Sequence, residues 1–321
     1  MREILGVPLP ALLAQLVLGL VNGCFYALLS LGLSIIFGML NIINFAHGAM
    51  YMMGAVLTWI ALDQFGVGYW GSVLLVPLVV GLAGVAIERS MLRRLYGLDN
   101  LYGLLLTFGL ALILEGLCRY RYGVSGLPYA IPEAFQGGLD LGFMYLPKYR
   151  AFVVCASLGL CLGTWLVIER TSLGAYLRAA TENPRLVQAF GINVPAMITV
   201  TYGFGAGVAG LAGVLAAPAT QISPLMGSNL IIVVFAVVVI GGMGSILGSI
   251  VTGLGLGLIE GLTKVFYSPA SNTVIFLIMA LVLLVRPAGL FGRSESASSK
   301  CRSRFPRRPP NVGGGLDAPR A

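Results

Sequence analysis

Histidine occurs once among the 321 residues, at position 47, and cysteine only five times. One imidazole cannot build a Ser-His-Asp relay or a histidine metal cluster. Cys24, Cys118, Cys155 and Cys161 fall in or beside apolar stretches and Cys301 lies near the end, none in a CxxC or disulfide-framework spacing. They read as small packing residues. No GxxxxGK[ST] loop is present, so the chain does not cradle nucleotide phosphates in that way. Charge is also scarce: 10% of residues are charged, against about 25% in a typical soluble domain. A chain so poor in charge cannot clothe a water-facing surface.

What the chain holds instead is apolar sequence, 58% of it, with a mean hydropathy of +0.92. Crossing a hydrocarbon layer takes a helix of about 20 mostly apolar residues. Such runs recur near 11–39, 46–65, 70–88, 101–118, 151–168, 197–217, 229–242, 246–264 and 273–286. The fold class predicted is an all-α, polytopic transmembrane bundle of about 8 to 10 spans, occupying 1–292 as one domain. The first run is too long for the core of a signal peptide and reads as an uncleaved span, or a span plus a half-helix.

The net charge of +8 resides in short loops and in the tail, with no aromatic-interleaved patch, which argues against a nucleic-acid partner. Short loops rich in Lys and Arg stay on the cytoplasmic side. Arg89, Arg93 and Arg94 mark one such loop and Arg170, Arg178 and Arg185 another, two spans later. Alternation then places the C-terminus in the cytoplasm and leaves Arg119, Arg121, Lys148 and Arg150 outside, against the rule. Residues 293–321, rich in Ser, Pro, Arg and Gly, have little to bury and are expected to be disordered.

Gly205, Gly207 and Gly210 spell GxGxxG, but inside an apolar span, where no strand precedes them; helix packing explains them better than a dinucleotide. Gly253, Gly257 and Gly261, four apart, bare one helix face for close approach. Glu115 and Glu260 stand near the ends of their spans, where snorkelling to the interface is cheap, and are expected to serve an interfacial or packing role rather than relay protons.

Two polar interruptions remain. Asn41, Asn44, His47 and Gly48 separate the first two apolar runs, and Gly241, Gly242, Gly244 and Ser245 separate a later pair. Backbone freed at such breaks must face protein or water, so these eight residues are candidates for a translocation pathway. The plain alternative is a pair of tight turns, and the charge topology, which puts both breaks on the cytoplasmic side, favours turns or re-entrant elements.

The most informative polar segment is the loop 169–196. Asn183 suits a helix N-cap, Pro184 the first helical position and Gly191 the stop, which predicts a two-turn helix. Leu186, Val187 and Phe190 fall on one side of it, against Arg185 and Gln188. The same amphipathic face serves a helix resting on the membrane and a peg that docks into a partner's groove.

Four stretches, in order, resemble the H-type permease of branched-chain amino-acid ABC importers. They are NIINFAHGAMYMMG from Asn41, RTSLGAYLRAATENPRLVQAFGINV from Arg170, IGGMGSILGSIVTG from Ile240 and LVLLVRPAGLFG from Leu281. The likeness covers about residues 10–292 and is less specific for substrate, since related permeases serve urea, short amides and other amino acids. The resemblance implies an M-type permease partner, two cytoplasmic ATPases, an extracytoplasmic binding protein and a bacterial inner-membrane location, with ATP hydrolysis in the partners and no cofactor here. It favours the peg, because such permeases meet their ATPases through a short helix in a cytoplasmic loop. Ala179, Ala180, Asn183, Pro184, Leu186, Val187, Phe190 and Gly191 are then the ATPase-coupling residues. Of these, Ala179, Ala180 and Gly191 match the wider EAA-type pattern, whose acidic first residue is absent. The tail departs from the family. The implied mechanism is alternating access. A stand-alone channel or ion-coupled carrier would be expected to hold mid-span charges, of which there are few, and a membrane enzyme would need a polar constellation not found.

Overall fold

A computed structural model describes residues 3–4, 7–40 and 42–292. Asn41 and the segment 293–321, for which a pathway role and a disordered tail were expected, lie outside these residues.

Among the described residues eleven α-helices follow in order: α1 (Leu9–Leu40), α2 (Ala46–Asp63), α3 (Tyr69–Ser90), α4 (Asn100–Tyr122), α5 (Lys148–Arg170), α6 (Ser172–Glu182), α7 (Pro184–Ala189), α8 (Val194–Ala216), α9 (Met226–Gly241), α10 (Ile246–Phe266) and α11 (Ser271–Val285). Every apolar run of the sequence is a helix. Among the described residues, seven helical stretches are long and apolar enough to cross a membrane; α9, at 16 residues, is shorter, and α2 carries His47 and Asp63. The first run is one unbroken helix of 32 residues rather than a span plus a half-helix. The segment Gly241 to Ser245 is a turn between two helices.

Two small antiparallel pairs escape the all-helical expectation: β1 (Glu3–Ile4) with β2 (Val7–Pro8), and β3 (Gly138–Asp140) with β4 (Tyr145–Pro147) in the loop after α4. Strands of two or three residues are too short to carry a readable period-2 pattern. Next to this hairpin, Tyr69, Trp70, Phe135, Tyr149 and Phe152 form an aromatic cluster. Phe135 stacks on Phe152 with centroids 4.4 Å apart, and Tyr69 and Tyr149 join their hydroxyls at 2.9 Å.

Glycine sets the helix spacing. Apolar side chains gain nothing from leaving lipid for a protein interior that is equally apolar, so close backbone approach supplies the association. A Cβ at Gly253 would lie 2.6 Å from the Ala27 backbone nitrogen, and one at Gly19 would lie 2.5 Å from the Gly257 carbonyl oxygen, so α1 and α10 touch backbone to backbone. On α8 the GxGxxG residues serve packing likewise. Gly205 meets Ile36 and the Gly32 carbonyl of α1, Gly207 meets the Pro77 carbonyl, and Gly210 meets Val80 of α3.

Helices α1, α2 and α8 form the interior, while α3, α4, α5 and α11 turn mostly outward. Helices α2 and α9 cross at their first turns: a Cβ at Gly48 would stand 2.6 Å from the Gly227 carbonyl oxygen.

Candidate functional site

The polar break after α1 is built into the core. Asn44 donates from Nδ2 to the Tyr202 hydroxyl at 3.0 Å, and His47 stands 3.0 Å from the Leu29 carbonyl through Nε2. A carbonyl only accepts, so Nε2 carries the hydrogen and Nδ1 is left as an acceptor without a partner, as is Asn44 Oδ1. His47 is 0% exposed and Asn44 2%. Leu29 precedes the end of α1 by 11 residues, about 16 Å along the axis. The break therefore starts at the cytoplasmic-type end expected from charge, but it carries His47 deep into the bundle. Asn44, His47 and Gly48 are all closely packed here, against α8, α1 and α9 respectively.

The second break is held differently. Gly242 and Gly244 have φ of +101° and +82°, a left-handed backbone that glycine adopts without strain. Ser245 caps α10 by accepting from the Gly248 amide at 3.2 Å. Gly241 packs on Gly248, and a Cβ there would sit 2.7 Å from the Gly248 carbonyl carbon. The final carbonyls of α9 need partners. The segment after α11 supplies them: the Leu290 amide donates to Ile240 O at 2.8 Å and the Phe291 amide to Gly241 O at 3.1 Å. Two of the four stretches singled out in the sequence, IGGMGSILGSIVTG and the end of LVLLVRPAGLFG, thus form one structural unit.

The loop helices follow the predicted caps. Asn183 Oδ1 accepts from the Leu186 amide at 3.1 Å, Pro184 opens α7, and Gly191 takes φ +83° just beyond Phe190. The amphipathic face, however, divides. Val187 turns inward to a small cluster with Ala180 and Val194, against Met39 of α1, whereas Leu186 is 54% and Phe190 78% exposed. A helix of six residues offers too few positions for one continuous stripe, so one apolar residue anchors it and the others project. Ala179 belongs to the last turn of α6, where its carbonyl accepts from the Asn183 amide at 3.0 Å.

The same end holds a cavity of about 420 Å³ that joins the two motifs. Its walls are the end of α1, the end of α5, α6, the turn 243–247 and residues 291–292. Glu169 and Arg178 stand in this wall as an ion pair at 3.2 Å. Ser34, fully buried, also belongs to the wall, and its hydroxyl has no partner.

Sequence reasoning missed Glu88. It is 0% exposed at the end of α3, where it accepts from Thr199 Oγ1 at 2.6 Å and from the Tyr96 hydroxyl. Burial, and then the bond to Glu88, push the Tyr96 phenol up, so it remains a donor throughout the physiological range. A lone acid just before Arg89, Arg93 and Arg94 was the available signal, masked by reading that stretch as a basic loop. Glu260 takes a packing role: it is buried between Tyr26, which donates at 2.7 Å, and Lys264, where glycine contacts press α10 onto α1. Glu115 pairs with Arg119 at 2.7 Å and accepts from Ser228 at 3.0 Å.

Residues 15–285 match the sequence profile of the family described as branched-chain amino acid transport system, permease component. This chain belongs to that family. It is similar to the high-affinity branched-chain amino acid transport system permease protein BraD of Pseudomonas aeruginosa, with 32% identity over 88% of this chain and 96% of the relative. It is also similar to LivH of Escherichia coli K12, 29% identical over 88% of this chain and 96% of the relative. LivM, a permease protein of the same name series in that organism, is 26% identical over 83% of this chain and 67% of the relative. No solved structure matches significantly. Family and apolar helices together make the chain an integral membrane protein and the permease component of a transport system.

Proposed function

We propose that this chain is the membrane-spanning subunit of an ATP-driven importer of branched-chain amino acids in a bacterial inner membrane. It would pair with a second, M-type permease, take substrate from an extracytoplasmic binding protein, and be driven by two ATPases docked at the α6–α7 end. Residues 1–292 act as one permease domain with a cytoplasmic C-terminal side and a coupling loop at 169–196. The observation that carries this reading is the paired helix α6–α7, which carries exposed Leu186 and Phe190 in a loop with Arg170, Arg178 and Arg185, in a chain whose relatives are named as permeases.

The breaks at 41–48 and 241–245 are the moving parts of the pathway. Leaving a buried acceptor without a hydrogen bond costs about 1 to 3 kcal/mol. Asn44 Oδ1 and His47 Nδ1 both lack a partner here, so a state in which water reaches them would recover that cost at these two groups.

Deleting the gene in its host tests the substrate. Uptake of radiolabelled leucine, isoleucine and valine should fall and return with a plasmid copy. Unchanged branched-chain uptake with a loss of urea or short-amide uptake would replace this reading with the sister specificity.

A further inference from the structure

Resting on the reading of α6–α7 as the coupling element, we propose that the 420 Å³ cavity behind α6 binds the zwitterionic aliphatic amino acid after translocation, and that its occupancy restrains the coupling helices. Uptake would then be slowed by product accumulated inside.

Small-molecule sites enclose about 300 to 1,000 Å³ and combine apolar walls with a few placed polar groups. This cavity has that size, and its wall combines apolar with polar groups in comparable measure. Ile35, Phe37 and Trp165 supply an apolar side, and Glu169 and Arg178 supply opposite charges 3.2 Å apart on the wall. That spacing suits a ligand with an ammonium and a carboxylate on one carbon. Arg178 would take the carboxylate through its planar fork and Glu169 the ammonium.

Opening the existing ion pair is cheap, since both side chains are about half exposed and such pairs contribute about 0 to 1 kcal/mol. Each partner regains an opposite charge from the ligand. The second independent sign is Ser34, a fully buried hydroxyl in the wall with nothing to bond. A polar group or water brought in by a ligand would satisfy it.

The regulatory consequence follows from which elements form the wall. Glu169 ends α5, Arg178 lies on α6, and Ser245 and Phe291 belong to the turn unit beyond α9. A ligand touching all of them binds best where they stand as they do here. It biases the protein toward that arrangement by its difference in affinity between states.

The test uses the complete transporter, with both permeases, ATPases and binding protein, in proteoliposomes loaded with L-leucine. Initial uptake of labelled isoleucine should fall as internal leucine rises. Leucinamide, which lacks the carboxylate, and 4-methylpentanoate, which lacks the ammonium, should leave it unchanged. Glu169→Gln and Arg178→Gln should each raise the half-inhibiting concentration about tenfold, the loss of one charge-assisted bond. Equilibrium binding of labelled L-leucine to the same complex without binding protein supplies a second measure, and the elution profile of each variant confirms assembly. No internal inhibition and no leucine binding in a complex that transports would overturn the site, as would equal inhibition by 4-methylpentanoate. Leucine binding that depends on Arg178 in a complex importing no branched-chain amino acid would keep the site and refute the proposed function.

Discussion

At the scale of single residues, the coupling loop separates anchoring from docking. Val187 is buried in the subunit, and Phe190, three residues on, is the most exposed large apolar group of the α6–α7 pair. Lipid does not explain it well, because the flanking sequence carries Arg178, Arg185 and Glu182 rather than a continuous apolar face. Interface anchors of this kind commonly lose about 2 kcal/mol or more on truncation, while their neighbours lose little. Phe190→Ala should therefore weaken ATPase association or uncouple hydrolysis from uptake, with insertion intact. Arg185→Ala should be milder. Co-purification of the ATPases and the ratio of ATP hydrolysed to substrate moved are the readouts. Normal values of both for Phe190→Ala would mean that α7 merely rests on the membrane surface.

At the scale of elements, the α1–α10 pair shows how a helix contact is specified without large side chains. Gly19 and Gly23 on one helix face Gly253, Gly257 and Gly261 on the other, and a Cβ at Gly257 would run into the backbone of Gly23 and Gly19. Gly255, on the same helix, would meet nothing within 4 Å. Overpacking a tight contact typically costs about 1 to 3 kcal/mol. Gly257→Val should lower the melting temperature of the purified protein, measured by fluorescence-detected size exclusion after heating, whereas Gly255→Val should leave it near wild type. Equal effects would show that helix propensity, and not the close approach, governs the pair. The pairing also confines Glu260, whose bonds to Tyr26 and Lys264 are needed only because the contact has closed over it.

At the scale of the whole molecule, the break after α1 connects the bundle's interior to its motion. Asn44 and His47 tie α2 to α8 and α1 in the present state, each with one atom unsatisfied. Cysteine placed at either position in a cysteine-free background should resist a membrane-impermeant thiol reagent in the resting complex. It should become reactive, from one side, during ATP-driven turnover. Protection under every condition with transport intact would reduce the pair to core packing; Asn44→Cys alone decides the matter if His47→Cys fails to assemble.

Hydropathy, charge placement and cap residues are properties of neighbouring positions, and they were legible in the chain. They yielded lipid as the solvent, the helix at every apolar run, the Asn183, Pro184 and Gly191 punctuation of α7, and the glycine faces of α8 and α10. Which polar groups are enclosed was not legible, because in a membrane both lipid-facing and protein-facing residues are apolar, so the hydrophobic pattern does not tell inside from outside. Only helix packing decided that Glu88, Glu260, Asn44 and His47 are buried with partners drawn from far along the chain. The cavity behind α6 is of the same kind. Its walls come from segments between Ser34 and Gly292 that meet only because close backbone contacts bring α1, α5 and the turn beyond α9 to one end.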